Sequence, residues 1–351
     1  MKDIFSIRLK KARTMAGLSM DALVEKMGDV VKKNSISKYE RGEMLPSSKV
    51  LIKLANALCV APDYFFRPFT IEVSSFDFRK KASLRIKDVN KIKGEVSDYI
   101  ERYVELEQIV NESNEFINPV SNINILGFED VEIAANNIRD IWNLGESSIN
   151  SVVELLEYNN IKVIEIDAPI LFDGLCAYIN NEFPVVVLNK SFSAERKRFT
   201  ALHELGHLIL NIGDDVEPKL VENYYNRFAG SMLIPKSIVD KTIGVKRHRI
   251  SVYELEDLQR RFGISIDALM HRLLDLRIIT ANNYKFFHIK KNTDKELKTY
   301  IETDRCVNIE VSNRFETLLA KSLSEELLTY SKAASLGMRS VEELKNSIII
   351  A

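Results

Sequence analysis

The pentapeptide His203-Glu204-Leu205-Gly206-His207 lies in the stretch Arg198–Leu210, RFTALHELGHLIL, which reads as a helix. At 3.6 residues per turn, His203 and His207 stand one turn apart on one face. Two imidazoles so spaced grip one tetrahedral zinc and leave room for a water. Glu204, beside the first of them, is placed to take a proton from that water. The chain has only five histidines in 351 residues, which makes the pairing more informative.

Two histidines do not complete such a site, and a third protein ligand is needed. The leading candidate is Glu222, in a second helical pattern running to Pro235. Glu222, Asn226 and Ala229 share one face of it. Small residues there (Ala229, Gly230, Ser231) and Gly206 on the first helix would let the two helices approach closely. Asn226, one turn on, is placed to accept a hydrogen bond from the second nitrogen of a ligating histidine. Asp214, Asp215 and Glu217 are rival ligands in the intervening loop. Two histidines and one carboxylate favour zinc, with manganese as the second choice.

The flanking segments predict an α+β surround. Helices are expected over Phe128–Leu144 and Ser148–Tyr158. Strands are expected over Ile161–Ile166, Leu175–Ile179 and Pro184–Leu188. Asp173-Gly174 and Asn180-Asn181 supply turns, so an antiparallel meander is expected, with the histidine helix laid across it. Ser193 is its expected N-cap, with Glu195 in the first turn. Further on, Leu255–Gly263 and Ile266–Leu274 form a helical hairpin capped by Ser265. It is read as structural, and more helices follow over 309–351.

The N-terminal part differs in character. Residues 1–67 hold 13 Lys and Arg against 7 Asp and Glu, a net +6, although the whole chain is at -1. A small basic module on an acidic body suggests an anionic partner. Five short helices are expected there, the first punctuated by Ile7, Leu9, Ala12 and Ala16. Ser19 caps Met20–Met27, which ends at Gly28; another runs over Ser35–Arg41 and stops at Gly42; Ser47 or Ser48 opens Val50–Leu58; Pro62–Phe66 is a last turn. A longer helix follows, roughly Lys87 to Asn111. Its Val89, Ile92, Val96, Tyr99, Tyr103, Leu106 and Val110 form an a/d seam over three heptads. That seam is either a homodimer contact or packing inside the monomer. The three cysteines are scattered, which favours a reducing cytosol, and neither a signal peptide nor a membrane-length apolar run is seen.

Two resemblances sharpen this reading. Leu18-Ser-Met-Asp-Ala-Leu, Ile36-Ser-Lys-Tyr-Glu-Arg-Gly-Glu43, Pro46-Ser and Pro62-Asp-Tyr-Phe-Phe66 together resemble the XRE/Cro-type helix-turn-helix family over nearly all of residues 5–66. The resemblance implies that the third helix enters the major groove of an operator in double-stranded DNA. Lys33, Asn34, Ser35, Ser37, Lys38 and Arg41 are then the DNA-binding residues. Asn34 is suited to adenine and the others to phosphates. The turn Asp29–Lys33 is longer than usual in that family, and Met20 stands where it often has Gln.

His203–Leu208 with Glu222-x-x-Tyr-x-x-Phe-Ala-x-x-Met-Leu-Ile-Pro235 is similar to the ImmA/IrrE metallopeptidase family over about 125–280. That resemblance implies metal binding by His203, His207 and Glu222, with Glu204 as the catalytic base. It also implies cleavage of XRE-type repressors, which releases stress or mobile-element genes. An oxyanion donor is needed as well, with Tyr224, Tyr225, Arg227, His248 and His271 as candidates.

The expected fold is mostly α with α+β. A helix-turn-helix domain (1–67) and a helical connector (68–125) precede a zincin-like metallopeptidase domain with a small antiparallel sheet (126–280). A helical extension (281–351) ends the chain. The expected function is a cytoplasmic transcription regulator whose zinc-dependent peptidase cleaves a repressor-type protein, or itself, on a signal. The rivals are a non-enzymatic, ligand- or metal-responsive repressor and the antitoxin of a toxin–antitoxin pair.

Overall fold

The computed structural model describes residues 2–68, 85–112, 114–179 and 183–348. The basic run Phe78-Arg-Lys-Lys81 and the Asn180-Asn181 turn fall outside these. The chain divides into two compact units, one of residues 1–114 with 313–351 and one of residues 115–312.

The first unit begins with α1 (Lys2–Met15), α2 (Met20–Lys26), α3 (Lys33–Glu40), α4 (Ser48–Leu58) and a 3-10 turn (Pro62–Phe66). The Ser19 hydroxyl accepts from the Ala22 amide at 3.1 Å and caps α2. Gly28 and Gly42, at φ +71°, turn the chain out of α2 and α3 where a side chain would be strained. Phe5, Leu9, Leu23, Ile36, Leu54 and Phe65 close a small core.

Next comes α5 (Ile86–Val110), which is held to α1 by buried charge. Glu101 accepts from Arg8 at 2.6 Å and from Lys11, while Asp98 accepts from Arg67 and Arg102, each at 2.8 Å. Burial pushes the Asp98 carboxyl up, but Arg102 and Arg67 more than offset this and hold it below the ordinary range.

In the second unit the chain runs through β1 (Asn124–Ile125), α6 (Phe128–Ile141), α7 (Val152–Tyr158), β2 (Lys162–Ile166), β3 (Gly174–Ile179), β4 (Phe183–Asn189), α8 (Ala194–Ile209) and β5 (Asn211–Ile212). It continues through α9 (Pro218–Leu233), α10 (Lys236–Thr242), α11 (Val252–Phe262), α12 (Ile266–Asp275), α13 (Ala281–Thr293) and α14 (Lys295–Glu302). The main sheet has the order β2-β4-β3. β3 and β4 pair antiparallel as expected, but β2 joins β4 in parallel, so the sheet is mixed and not a meander. The connection after β2 must therefore cross to the far side of β4. Asn189, fully buried, holds it there by donating its side-chain amide to the carbonyls of Ala168, Pro169 and Phe172. One large core joins α6, α7, the sheet, α8, α9, α11 and α12. The α11–α12 hairpin is part of it, with Gly263 left-handed and Ser265 capping Ala268.

The chain then re-enters the first unit through α15 (Arg314–Ser324), α16 (Tyr330–Gly337) and α17 (Val341–Ile348). The helices after residue 281 thus divide between the units. α15 to α17 cover the C-terminal part of the α5 seam: Tyr103, Leu106 and Val110 pack with Phe315, Leu318, Leu319, Ala334 and Leu336. Of the two readings of the seam, packing inside the monomer is the one seen for these residues. An apolar stripe needs one apolar cover, and the chain's own C-terminal helices provide it.

Candidate metal centre and DNA-reading helix

α8 forms where the sequence places it. The Ser193 hydroxyl accepts from the Arg196 amide, and the helix ends at Leu210. Its inner face, with Ala201, Leu202, Leu205 and Ile209, is buried, which turns His203, Glu204 and His207 to a half-buried margin. The two Nε2 atoms are 3.1 Å apart. Zinc–nitrogen bonds of about 2.0–2.1 Å at a tetrahedral angle would separate two ligand nitrogens by about 3.3 Å. Glu222, on α9, brings its carboxylate oxygens to 3.4 Å from His203 Nε2 and 3.8 Å from His207 Nε2. Among the described residues, these three alone bring His, Cys, Asp or Glu ligand atoms together as a metal requires. Asp214, Asp215 and Glu217 are not among them.

The Nδ1 of His203 lies 3.0 Å from Asn226 Oδ1, leaving Nε2 toward Glu222. The close approach of α8 and α9 is made differently from expectation. A Cβ on Gly206 would sit 3.2 Å from both the Tyr225 and the Phe228 rings, so Gly206 admits two aromatic rings. Gly230 faces Arg272 instead of α8. Sequence reasoning missed Gly174, which it read only as a turn residue. A Cβ there would lie 2.7 Å from Thr200 Cγ2, 2.8 Å from the Val187 carbonyl and 3.5 Å from Glu204 Cγ. Its bareness therefore brings β3 against α8 beside Glu204.

In the first unit, Ile36 and Tyr39 anchor α3, while Lys33, Asn34, Lys38 and Arg41 are exposed and Ser35 and Ser37 half-buried. α3 begins at Lys33, so Lys33 belongs to the helix and not to the preceding turn. Lys33 pairs with Asp21 at 2.7 Å. Arg41 bonds Ser37 and Glu43, and it holds the Glu43 carboxyl below the usual range. Such exposed pairs are weak.

Residues 9–65 match the helix-turn-helix family, and residues 156–274 match the IrrE N-terminal-like domain of peptidase family M78. The chain joins these two domains. It is also 36% identical over 64 residues to an SPbeta prophage-derived uncharacterized HTH-type transcriptional regulator, YonR, of Bacillus subtilis (strain 168). That match covers 18% of this chain and 57% of the relative, so the chain spans little more than half of that protein's length. Among the described residues, no helix is long and apolar enough to cross a membrane.

Of the five oxyanion candidates in the IrrE-like domain, Tyr225 touches the histidines. Its ring centroid is 3.7 Å from that of His207 and 5.9 Å from that of His203. Tyr224 packs edge-on against Phe128, Arg227 pairs with Glu132, and His271 pairs with Asp275. The His248 carbonyl accepts from Asn283.

Proposed function

We propose that this chain is a DNA-binding transcription regulator whose IrrE-like domain is a zinc-dependent peptidase, cutting a repressor-type protein, or this chain itself, on a signal. The observation that carries the reading is the convergence of His203, His207 and Glu222, with Asn226 behind His203. The donor set suits zinc, with manganese the second ion such ligands accept.

Zinc, when bound, supplies a Lewis acid beside the scissile carbonyl. The chain's own residues do the rest. His203, His207 and Glu222 hold the ion, and Asn226 keeps His203 in one tautomer and orientation. Glu204 takes a proton from the attacking water and delivers it to the leaving amine nitrogen. In the helix-turn-helix domain, α3 enters the major groove. Asn34 reads a base edge, and Lys33, Ser35, Ser37, Lys38 and Arg41 set the register on the backbone. Pairing on a two-fold operator would use a surface other than the covered Tyr103–Val110 part of the α5 seam.

The test is Glu204→Gln against wild type, incubated with candidate XRE-type repressors and alone. The reading expects cleavage by wild type and its loss in the variant, with operator binding intact. Equal cleavage by both would remove Glu204 as base. No cleavage by either, with regulation intact, would favour a non-enzymatic repressor.

A further inference from the structure

Glu222, Tyr225 and Asn226 lie at i, i+3 and i+4 on α9 and so share one face, which meets the paired histidines. Glu222 approaches both Nε2 atoms, and Asn226 meets His203 through Nδ1. Tyr225 addresses His207. The two rings are tilted by 40° with centroids 3.7 Å apart, and Tyr225 itself is 4% exposed. Gly206 makes this stacking fit, because a Cβ there would press on Tyr225 Cδ1. The His207 side chain is correspondingly the more enclosed of the pair, 9% exposed against 17% for His203.

We infer that Tyr225 is a positioning residue for the metal centre, fixing the plane of His207 by ring stacking as Asn226 fixes His203 by hydrogen bonding. The inference rests on the metal-centre reading given above and names what holds its second histidine. Its physical basis is twofold. A planar neighbour restricts rotation of the imidazole about its terminal torsion, which is otherwise broad. An oriented ligand also loses less freedom when it binds. The ring carries the effect, so the phenol hydroxyl is dispensable for it.

The test is zinc affinity by chelator competition on the full chain, together with the visible spectrum of the cobalt-loaded protein. Wild type would be compared with Tyr225→Phe, Tyr225→Leu and Asn226→Ala. Tyr225→Leu keeps much of the buried volume and removes the ring, and a melt of each metal-free variant checks its fold. The expected result is wild-type affinity and spectrum in Tyr225→Phe. Tyr225→Leu should lose about 10–100-fold in affinity and show an altered cobalt spectrum, as Asn226→Ala should. A folded Tyr225→Leu with wild-type affinity and spectrum would overturn the inference. A Tyr225→Phe as weak as Tyr225→Leu would overturn it too, since the hydroxyl would then carry the effect. Failure of wild type to bind either ion would instead sink the metal-centre reading beneath it.

Discussion

Glu195 stands in the first turn of α8, two turns before the histidine pair, and it is almost fully buried. Burial raises its carboxyl to about 7, and the neighbouring Asp304 adds to this, although the Arg305 amide and Gln259 donate to it. Below the ordinary Glu range both folded and unfolded chains hold the proton, and nothing is lost. As pH rises, the unfolded chain releases its proton first, so stability falls and the loss is complete above about 7. The shift corresponds to about 3 kcal/mol at most. Glu195→Gln keeps the shape and the acceptor. Thermal melts from about pH 5 to about pH 8 should fall for wild type and flatten for the variant; parallel curves would show that Glu195 does not titrate in this range. At this scale the sequence was most informative where chemistry is local. Ser19, Ser193 and Ser265 cap the helices they were expected to cap, and the spacing of His203 and His207 is a property of any helix. The stacking of Tyr225 was illegible, because helical spacing cannot say which residue of the next helix lies over a ring.

Among elements, α8 and α7 are tied by one buried acid. Glu310 accepts from the Val152 and Val153 amides at 3.0 and 2.9 Å, and from Arg198 at 2.5 Å. Neither side chain of the ion pair is exposed. Removing one partner leaves a buried charge unpaired, so Glu310→Ala should cost about 3–5 kcal/mol in urea unfolding. The double change Glu310→Leu with Arg198→Met should recover much of that loss. A single variant as stable as wild type would show that water reaches the site. Nothing in the irregular run Arg305–Ser312 marks Glu310 as buried, because its partners lie more than a hundred residues away. The sheet order was hidden for a similar reason. The strand segments were legible from β-branched runs, but the crossing after β2 depends on Asn189, whose partners are carbonyls of another loop.

Seen as a whole chain, the IrrE-like domain interrupts the first unit in sequence: that unit takes its seam cover from residues after 313. The heptad stripe in α5 was legible, but its partner was not. Arg102 donates to the Leu336 carbonyl across 234 residues of sequence, a distance at which apolar pattern carries no pairing information. Deleting residues 313–351 should therefore uncover Tyr103, Leu106 and Val110, each worth about 1.5–3 kcal/mol when buried. Light scattering should show self-association through α5, with a lowered melting temperature. A monomeric truncation that melts like wild type would mean that α5 needs no cover. In the other unit, the metal centre is tested most directly by elemental mass spectrometry on the purified chain beside His207→Ala. One zinc per chain, lost in the variant, is the predicted result; no metal in wild type, or metal retained in the variant, would contradict it.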